Sequence, residues 1–180
     1  MTDATIRREL MAIARGHLEA RVLGRALPSM PRGPEIQSAG VFVTLYCRDE
    51  LRGCLGSLDS RGPIAHAVAR LAGAVCRDDD RFLPLQPHEL DASALEISLL
   101  TAPERVVDFE TIQIGRHGLM VERGWRRGLL LPQVAQERGW DRETFLTQTC
   151  LKAGLDGDAW RRDTDISLFE AEVFGDLDLR

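Results

Sequence analysis

Two strand-like stretches separated by a short charged segment predict a β-hairpin near residue 50. The first, residues 40–47, is rich in β-branched and aromatic side chains, and the second, residues 51–58, contains Arg52 and Cys54. Such composition is typical of strands, and the charged residues 48–50 have the length of a hairpin turn. We therefore expect an antiparallel pair with Cys54 in the middle of its second strand.

The register of this hairpin decides which way Cys54 faces. With all three turn residues unpaired, the cross-strand pairs include Thr44–Cys54, Leu45–Gly53 and Cys47–Leu51. The apolar residues, Leu51 among them, then share one face, and Arg52 and Cys54 share the other. A slip of one residue would move Cys54 to the apolar face. We prefer the first register because it separates apolar from mixed residues more cleanly.

Apolar spacing predicts four helices and four further strands. The helices run from about Asp3 to Leu23, from Gly62-Pro63, from Pro132 to near Gly139, and from an Asp141 cap to Gly154. The strands are 93–101, 117–123, 128–131 and 166–174, with a turn at 124–127. Cys150 lies on the apolar face of the last helix and is expected in the core. The proline-rich stretch 28–40 predicts an extended connector, of a kind that can rim a pocket.

Composition and charge indicate a globular protein and narrow its partners. The 180 residues are 44% hydrophobic and 28% charged, typical of one folded domain. The net charge of -5 argues against nucleic acid as the main partner. No apolar run is long enough to span a membrane, and the first residues lack the layout of a signal peptide. The four cysteines show no Cys-x-x-Cys pair and no histidine spacing suited to zinc, so they are interpreted as free thiols in a reducing cytoplasm.

Cys54 is the best candidate for a nucleophile. A neighbouring guanidinium, that of Arg52, favours the reactive thiolate. Gly53 and Gly56 carry no side chains, so a substrate could approach the sulfur closely. The alternative is that Cys54 is a small buried hydrophobe, as free cysteines often are.

The strand at 93–101 offers two side chains to the same surface. Glu96 and Ser98 share its non-core face, and they would continue the Arg52/Cys54 surface if this strand joins the hairpin's sheet. Glu96 is then a candidate to move protons and Ser98 a candidate substrate-binding residue. The alternatives for Glu96 are an exposed strand carboxylate or an ion-pair partner of Arg52.

Two further candidates come later in the chain. His117 starts a predicted strand beside Gly118, which suits the lip of a pocket, and an imidazole can move protons near neutral pH. Gln133 follows Pro132 at a helix start and could donate to a substrate oxygen, or it could be a surface residue of the first turn.

The sequence contains no cofactor or metal signature. It has neither a glycine-rich phosphate loop of standard spacing nor a His-Glu-x-x-His motif, so we expect no cofactor and no metal. The acidic run Asp78–Asp80 is interpreted as a solvated helix exit, because consecutive acids on a loop rarely converge on one ion.

Segments along nearly the whole chain resemble the AMMECR domain family. The stretches 41–45 and 51–56 look like its signature hairpin, with Leu55 where the family commonly has isoleucine, a volume-conserving change. The match continues in order through 80–85, 95–100, 118–119, 127–135, 139–140, 150–155 and 169–174.

The resemblance implies an α+β fold over residues 1–180, with an antiparallel sheet flanked by helices and a smaller α/β lobe packed beside it. The larger lobe would contain the 40–58 hairpin and the 93–101 strand, and the smaller one part of the middle of the chain. It also implies the protein A type of the AmmeMemoRadiSam system. The companions of that system are a Memo-type protein, which resembles extradiol dioxygenases, and a radical S-adenosylmethionine protein.

Two hypotheses for function follow. In the first, the protein is a small cytosolic enzyme that uses the Cys54 thiolate for group transfer or hydrolysis. Arg52 would hold an anionic group, and Glu96 or His117 would handle protons. In the second, it is a non-catalytic module that presents the Arg52/Cys54 surface to a small-molecule ligand or a partner protein.

Overall fold

Seven strands and four α-helices form the regular structure of the described part of the chain. The structure is a computed structural model that describes residues 2–30, 32–33, 36–58 and 62–176. The strands are β1 (Gly40–Cys47), β2 (Glu50–Ser57), β3 (Ser93–Leu100), β4 (Glu104–Arg105), β5 (His117–Arg123), β6 (Arg126–Leu130) and β7 (Asp165–Gly175). The helices are α1 (Ala4–Val22), α2 (Ile64–Val75), α3 (Pro132–Glu137) and α4 (Arg142–Lys152), with short 3₁₀ segments at Pro87–Ala92, Phe109–Thr111 and Ala159–Arg161. Antiparallel strands and separate helices confirm the predicted α+β class.

The chain divides into two compact units. The first consists of residues 1–99 and 172–180, and the second of residues 100–171. In the first, hydrogen-bonded strands follow the order β2, β1, β3 and the end of β7. In the second, the order is β7, β5 and β6, with β4 also paired to β7. β7 therefore supplies backbone to both units.

The core of the first unit lies between one face of its strands and the helices α1 and α2. Fully or nearly fully buried residues come from α1, α2, β1, β3 and the end of β7: Leu10, Ala14, Leu18, Val41, Val43, Leu45, Val68, Leu71, Leu95, Ile97 and Phe174. Because successive strand side chains point to opposite faces, Thr44 of β1 and Ser98 of β3 lie on the face away from this core. That second face is the one on which the candidate site was predicted.

Local capping explains where two of the helices begin. The Asp3 carboxylate accepts the backbone N–H groups of Thr5 and Ile6 at 2.8 and 2.9 Å, so it caps α1. The Asp141 carboxylate accepts the Thr144 N–H at 2.8 Å and caps α4. No helix in the described part of the chain is long and apolar enough to cross a membrane.

The second unit has its own core, formed by α4 and strands β5, β6 and β7. Phe145, Cys150, Leu119 and Ile166 are all buried there, which confirms the core position of Cys150. The predicted turn at 124–127 was too long: Arg123 pairs with Arg126. Because Gly124 adopts a φ of 61°, a two-residue turn suffices and β6 begins two residues earlier than expected.

Candidate functional site

The hairpin pairs at Cys54 as the preferred register requires. Thr44 lies opposite Cys54 and Leu45 opposite Gly53, and Leu45 is fully buried in the core. Cys54 is therefore on the face with Thr44, and its side chain is half-buried. The alternative register, with Cys54 in the core, is excluded for this structure.

Closer to the turn, the predicted register was wrong. Only Arg48 and Asp49 form the turn, both with positive φ (52° and 64°), and Cys47 pairs with Glu50 rather than Leu51. The register then shifts between Leu45 and Tyr46, which leaves one extra residue on β2. Such a β-bulge moves the following side chains to new directions. Leu51, expected on the apolar face, is consequently 43% exposed.

Two polar contacts fix Cys54. The Thr44 hydroxyl donates to the sulfur at an Oγ1–Sγ distance of 3.4 Å. The backbone N–H of Cys54 donates to Oδ2 of Asp79 at 2.8 Å. The amide that an oxyanion hole at this residue would use is thus already bound to a carboxylate.

Asp79 forms a fork-to-fork ion pair with Arg81. The Nε of Arg81 donates to Oδ1 at 2.8 Å and its Nη2 to Oδ2 at 2.7 Å. These bonds, with that from the Cys54 amide, hold the pKa of Asp79 well below its usual range, and Asp79 in turn raises the pKa of Arg81. Arg81 Nη2 also donates to the Cys54 carbonyl oxygen at 3.5 Å. Asp79 is only 6% exposed, so its interpretation as part of a solvated run was wrong.

Arg52 is bound to the connector that follows α2. Its Nε and Nη2 donate to the two carboxylate oxygens of Glu89 at 3.1 and 3.2 Å, and its other donors reach the carbonyl oxygens of Leu83 and Pro84. Arg52 lowers the pKa of Glu89, helped by the Gln86 N–H. The Arg52 guanidinium, which was predicted to bind a substrate anion, is therefore paired with a carboxylate of the protein itself. That carboxylate belongs to Glu89 and not to Glu96.

The glycines on either side of Cys54 are required by packing. A Cβ at Gly53 would lie 2.6 Å from the Val75 carbonyl oxygen, so β2 approaches the end of α2 more closely than any side chain permits. A Cβ at Gly56 would lie 2.2 Å from the ring of Phe42, which covers this glycine from the neighbouring strand. Both positions have a structural reason that does not involve a substrate.

β3 follows β1 in the strand order, as the predicted continuation of the surface requires. Ser98 is 1% exposed, and its hydroxyl has no hydrogen-bond partner among the described residues. Glu96, two residues earlier on the same face, is half-buried. Thr44, Cys54, Ser98 and Glu96 form what we call the Cys54 face, the face of the first unit's strands opposite its core.

The other two candidates, His117 and Gln133, belong to the second unit. His117 is 7% exposed; its Nδ1 accepts the Gln113 N–H at 3.2 Å, and its Nε2 lies 4.0 Å from Glu170 Oε1. The N–H bond places the imidazole proton on Nε2 when the ring is neutral. Gln133 Oε1 is buried without a partner among the described residues. The catalytic role of His117 and the substrate-binding role of Gln133 stay predictions.

Two of the remaining three thiols, those of Cys76 and Cys150, are made less reactive by burial. Burial raises the pKa of Cys76 and of Cys150, which keeps both protonated at neutral pH. Cys47 is half-buried, with its sulfur 3.9 Å from the Glu89 carbonyl oxygen. Across residues 2–30, 32–33, 36–58 and 62–176, no three His, Cys, Asp or Glu side chains group as metal ligands would.

Sequence reasoning missed Asp79 and Arg81, which contact Cys54 more directly than Arg52 does. Their only signal was position, since both lie in a segment between α2 and the Pro87–Ala92 turn. Asp79 cannot be told from Asp78 and Asp80 by residue type, because its burial depends on a contact with a strand 25 residues away in sequence.

Comparisons with known proteins agree with the fold and the resemblance. The family model described as AMMECR1 matches residues 11–174. A protein of Methanopyrus kandleri is 47% identical over 148 residues, covering 77% of this chain and 72% of the relative. One of Methanosarcina acetivorans is 36% identical over 186 residues, covering 97% and 93%. The crystal structure of an uncharacterized protein of Pyrococcus horikoshii matches with a TM-score of 0.88 at 36% identity, covering 96% of this chain and 92% of that one.

Proposed function

The chain belongs to the AMMECR1 family, and we propose that it acts as a non-catalytic binding module that presents the Cys54 face to a ligand or partner protein. One observation carries this proposal. The Arg52 guanidinium and the Cys54 amide, which catalysis at the thiol would use, are both hydrogen-bonded to carboxylates of the same unit.

A nucleophilic mechanism at Cys54 would have to break these contacts first. Releasing Arg52 would leave the Glu89 carboxylate without its guanidinium, and releasing the amide would leave Asp79 with Arg81 alone. Each charge-assisted bond is worth about 1.5–3 kcal/mol. A binding module needs no such release, because rigid, fully bonded backbone is what a docking surface requires.

The Cys54 face suits such a role in its chemistry. Cys54 and Glu96 are half-buried and bring a thiol and a carboxylate to the surface, while the hydroxyl groups of Thr44 and Ser98 are buried beside them. Hydroxyls and thiols can both donate and accept, which fits recognition of polar groups better than it fits acid–base catalysis.

Competitive alkylation tests the proposal, with Cys47 as the matched thiol. Both cysteines are half-buried and close in sequence, so a non-catalytic Cys54 should react with iodoacetamide at a rate within about threefold of Cys47. Cys76 and Cys150 should react slowly until the protein is unfolded in urea, because both are buried. Mass spectrometry of each peptide over time gives the four rates.

A markedly faster Cys54 would contradict the proposal and favour the thiolate enzyme instead. Thr44→Val, which removes the hydroxyl donor to the sulfur, would then be expected to slow Cys54 selectively. The companions implied by the resemblance, a Memo-type and a radical S-adenosylmethionine protein, stay predictions, as does a cytoplasmic location. Protection of Cys54, but not Cys47, by either purified companion would identify the partner.

A further inference from the structure

An open cavity lies between the connector after α1 and the start of α2. Its volume is about 820 Å³, within the range of small-molecule sites. The described residues that line it are Met30, Arg32, Gly33, Ile36, Gln37, Gly62, Pro63 and His66. The proline-rich stretch 28–40 thus rims a pocket, as its sequence suggested; its residues 31, 34 and 35 lie outside the described part of the chain.

Gly33 holds this connector against the helix. Its φ of 58° lies in the left-handed region, which glycine adopts without strain. A Cβ at this position would lie 2.1 Å from the Cβ of Ala65, in the first turn of α2. The cavity wall therefore depends on a backbone approach that only glycine allows.

Three polar side chains at the cavity have no partner within the described structure. Arg32, Gln37 and His66 make no side-chain hydrogen bond or ion pair with any described residue. Arg52 and Arg81 of the same unit are bound to carboxylates, whereas Arg32 and the exposed Arg25 are not. Arg32 lines the cavity, so its free donors can face a ligand there.

The other described residues of the wall are apolar or neutral. Met30, Ile36 and Pro63 supply hydrocarbon surface, and none of the eight described lining residues is acidic. A guanidinium binds planar oxyanions through two parallel N–H bonds. Beside it, an amide and an imidazole add further donors, and the hydrocarbon wall favours an apolar body.

We propose that this cavity binds a small organic anion, a carboxylate or phosphate ester carried on an apolar body. Arg32 contacts the oxyanion, Gln37 and His66 donate to it, and Met30, Ile36 and Pro63 contact the apolar part. The site shares no residue with the Cys54 face and does not rest on the function proposed for that face. Failure of either proposal leaves the other standing.

Titration with matched aromatic probes tests the site. Benzoate and benzamide have nearly the same shape and differ in charge, and phenyl phosphate replaces the carboxylate by a phosphate. In ¹H–¹⁵N correlation spectra of the full chain, we expect at least one anion to shift the backbone amide signals of Arg32, Gly33, Ile36, Gln37, Gly62 and His66. The affinity of that anion should exceed the affinity of benzamide by about tenfold or more, because only the anion forms a charge-assisted hydrogen bond with Arg32. Which anion binds better identifies the head group.

Two variants and one control complete the experiment. Arg32→Met keeps the apolar stem and removes the charge, so anion affinity should fall about tenfold or more. Gly33→Ala should also weaken binding, because it displaces the connector from Ala65. Arg25→Met removes an exposed guanidinium that does not line the cavity, and affinity should not change. Equal affinity for benzoate and benzamide, binding unaffected by Arg32→Met, or no saturable binding of any probe would overturn the proposal.

Discussion

A single buried carboxylate, that of Asp79, organises the backbone at Cys54. It accepts from the Cys54 amide and from two nitrogens of Arg81, so its oxygens join strand β2 to the segment after α2. Asp78 and Asp80 on either side are exposed. The three residues are chemically identical and differ only in what the fold places next to them.

Replacing Asp79 should therefore cost stability where replacing its neighbour does not. Asp79→Ala leaves the Cys54 N–H without its acceptor, at a cost of about 1–3 kcal/mol in the free energy of unfolding. Asp80→Ala, at an exposed position with no side-chain partner among the described residues, should change it by less than about 0.5 kcal/mol. Urea unfolding of both variants measures the difference, and equal effects would show that the Asp79 contacts do not stabilise the fold.

The same carboxylate predicts a pH dependence with a definite sign. Its pKa in the folded protein is lowered, whereas in the unfolded chain it is about 3.9. The contribution of ionised Asp79 to the free energy of unfolding is therefore complete above about pH 4. It is lost as the pH falls toward the pKa of Asp79 in the folded protein. The stability advantage of the wild type over Asp79→Asn should narrow between about pH 4 and pH 2. An advantage that stays constant over this range would contradict the assignment.

At this scale the sequence predicted the direction of Cys54 but not its partners. Direction follows from strand alternation, which residue type reveals. Hydrogen-bond partners depend on contacts between residues far apart in the sequence. Arg52 binds Glu89, 37 residues away, whereas its position beside Cys54 had suggested that it would bind a substrate.

Among the elements, the β1–β2 hairpin shows how one unusual turn redirects several side chains. A two-residue turn with both residues at positive φ normally calls for Asn or Gly, and Arg48-Asp49 carries neither signal. The chain accommodates the shorter turn by a bulge before Gly53. The sequence pattern therefore predicted the correct pairs on the side of the bulge away from the turn, such as Thr44–Cys54. It predicted the wrong pairs between the bulge and the turn, where Cys47 pairs with Glu50.

Contact between β2 and α2 makes Gly53 sensitive to substitution. Gly53→Ala places a methyl group 2.6 Å from the Val75 carbonyl oxygen, and such overpacking costs about 1–3 kcal/mol.

Gly73→Ala, inside α2, is the matched control. Its Cβ would meet only the His17 carbonyl oxygen at 3.8 Å, so the helix should gain about 0.4–1 kcal/mol. Thermal unfolding of both variants measures the two changes in stability: the melting temperature should fall for Gly53→Ala and rise for Gly73→Ala. Stabilisation by Gly53→Ala would show that β2 and α2 are not in the close contact described.

At the scale of the whole molecule, the pattern of apolar residues in β7 has an explanation. It fits neither a strand with one buried face nor a strand buried on both faces. Ile166 near its start is buried in the core of the second unit, and Phe174 near its end is buried in the core of the first. The strand changes cores along its length, so its apolar positions follow no single alternation. Family resemblance predicted the fold because matched segments span the chain, while β4, with only two residues, gave no pattern to find.

The Asp79–Arg81 pair has a consequence for the behaviour of the protein in concentrated solution. β2 stands at the end of the strand order among the described residues, and the unpaired edge of such a strand can recruit a strand from another molecule. At Cys54, Asp79 takes the outward N–H and Arg81 reaches the carbonyl oxygen, the two groups that an incoming strand would need. Together with the bulge, this ion pair blocks strand addition at the middle of β2 and protects the molecule against edge-to-edge aggregation.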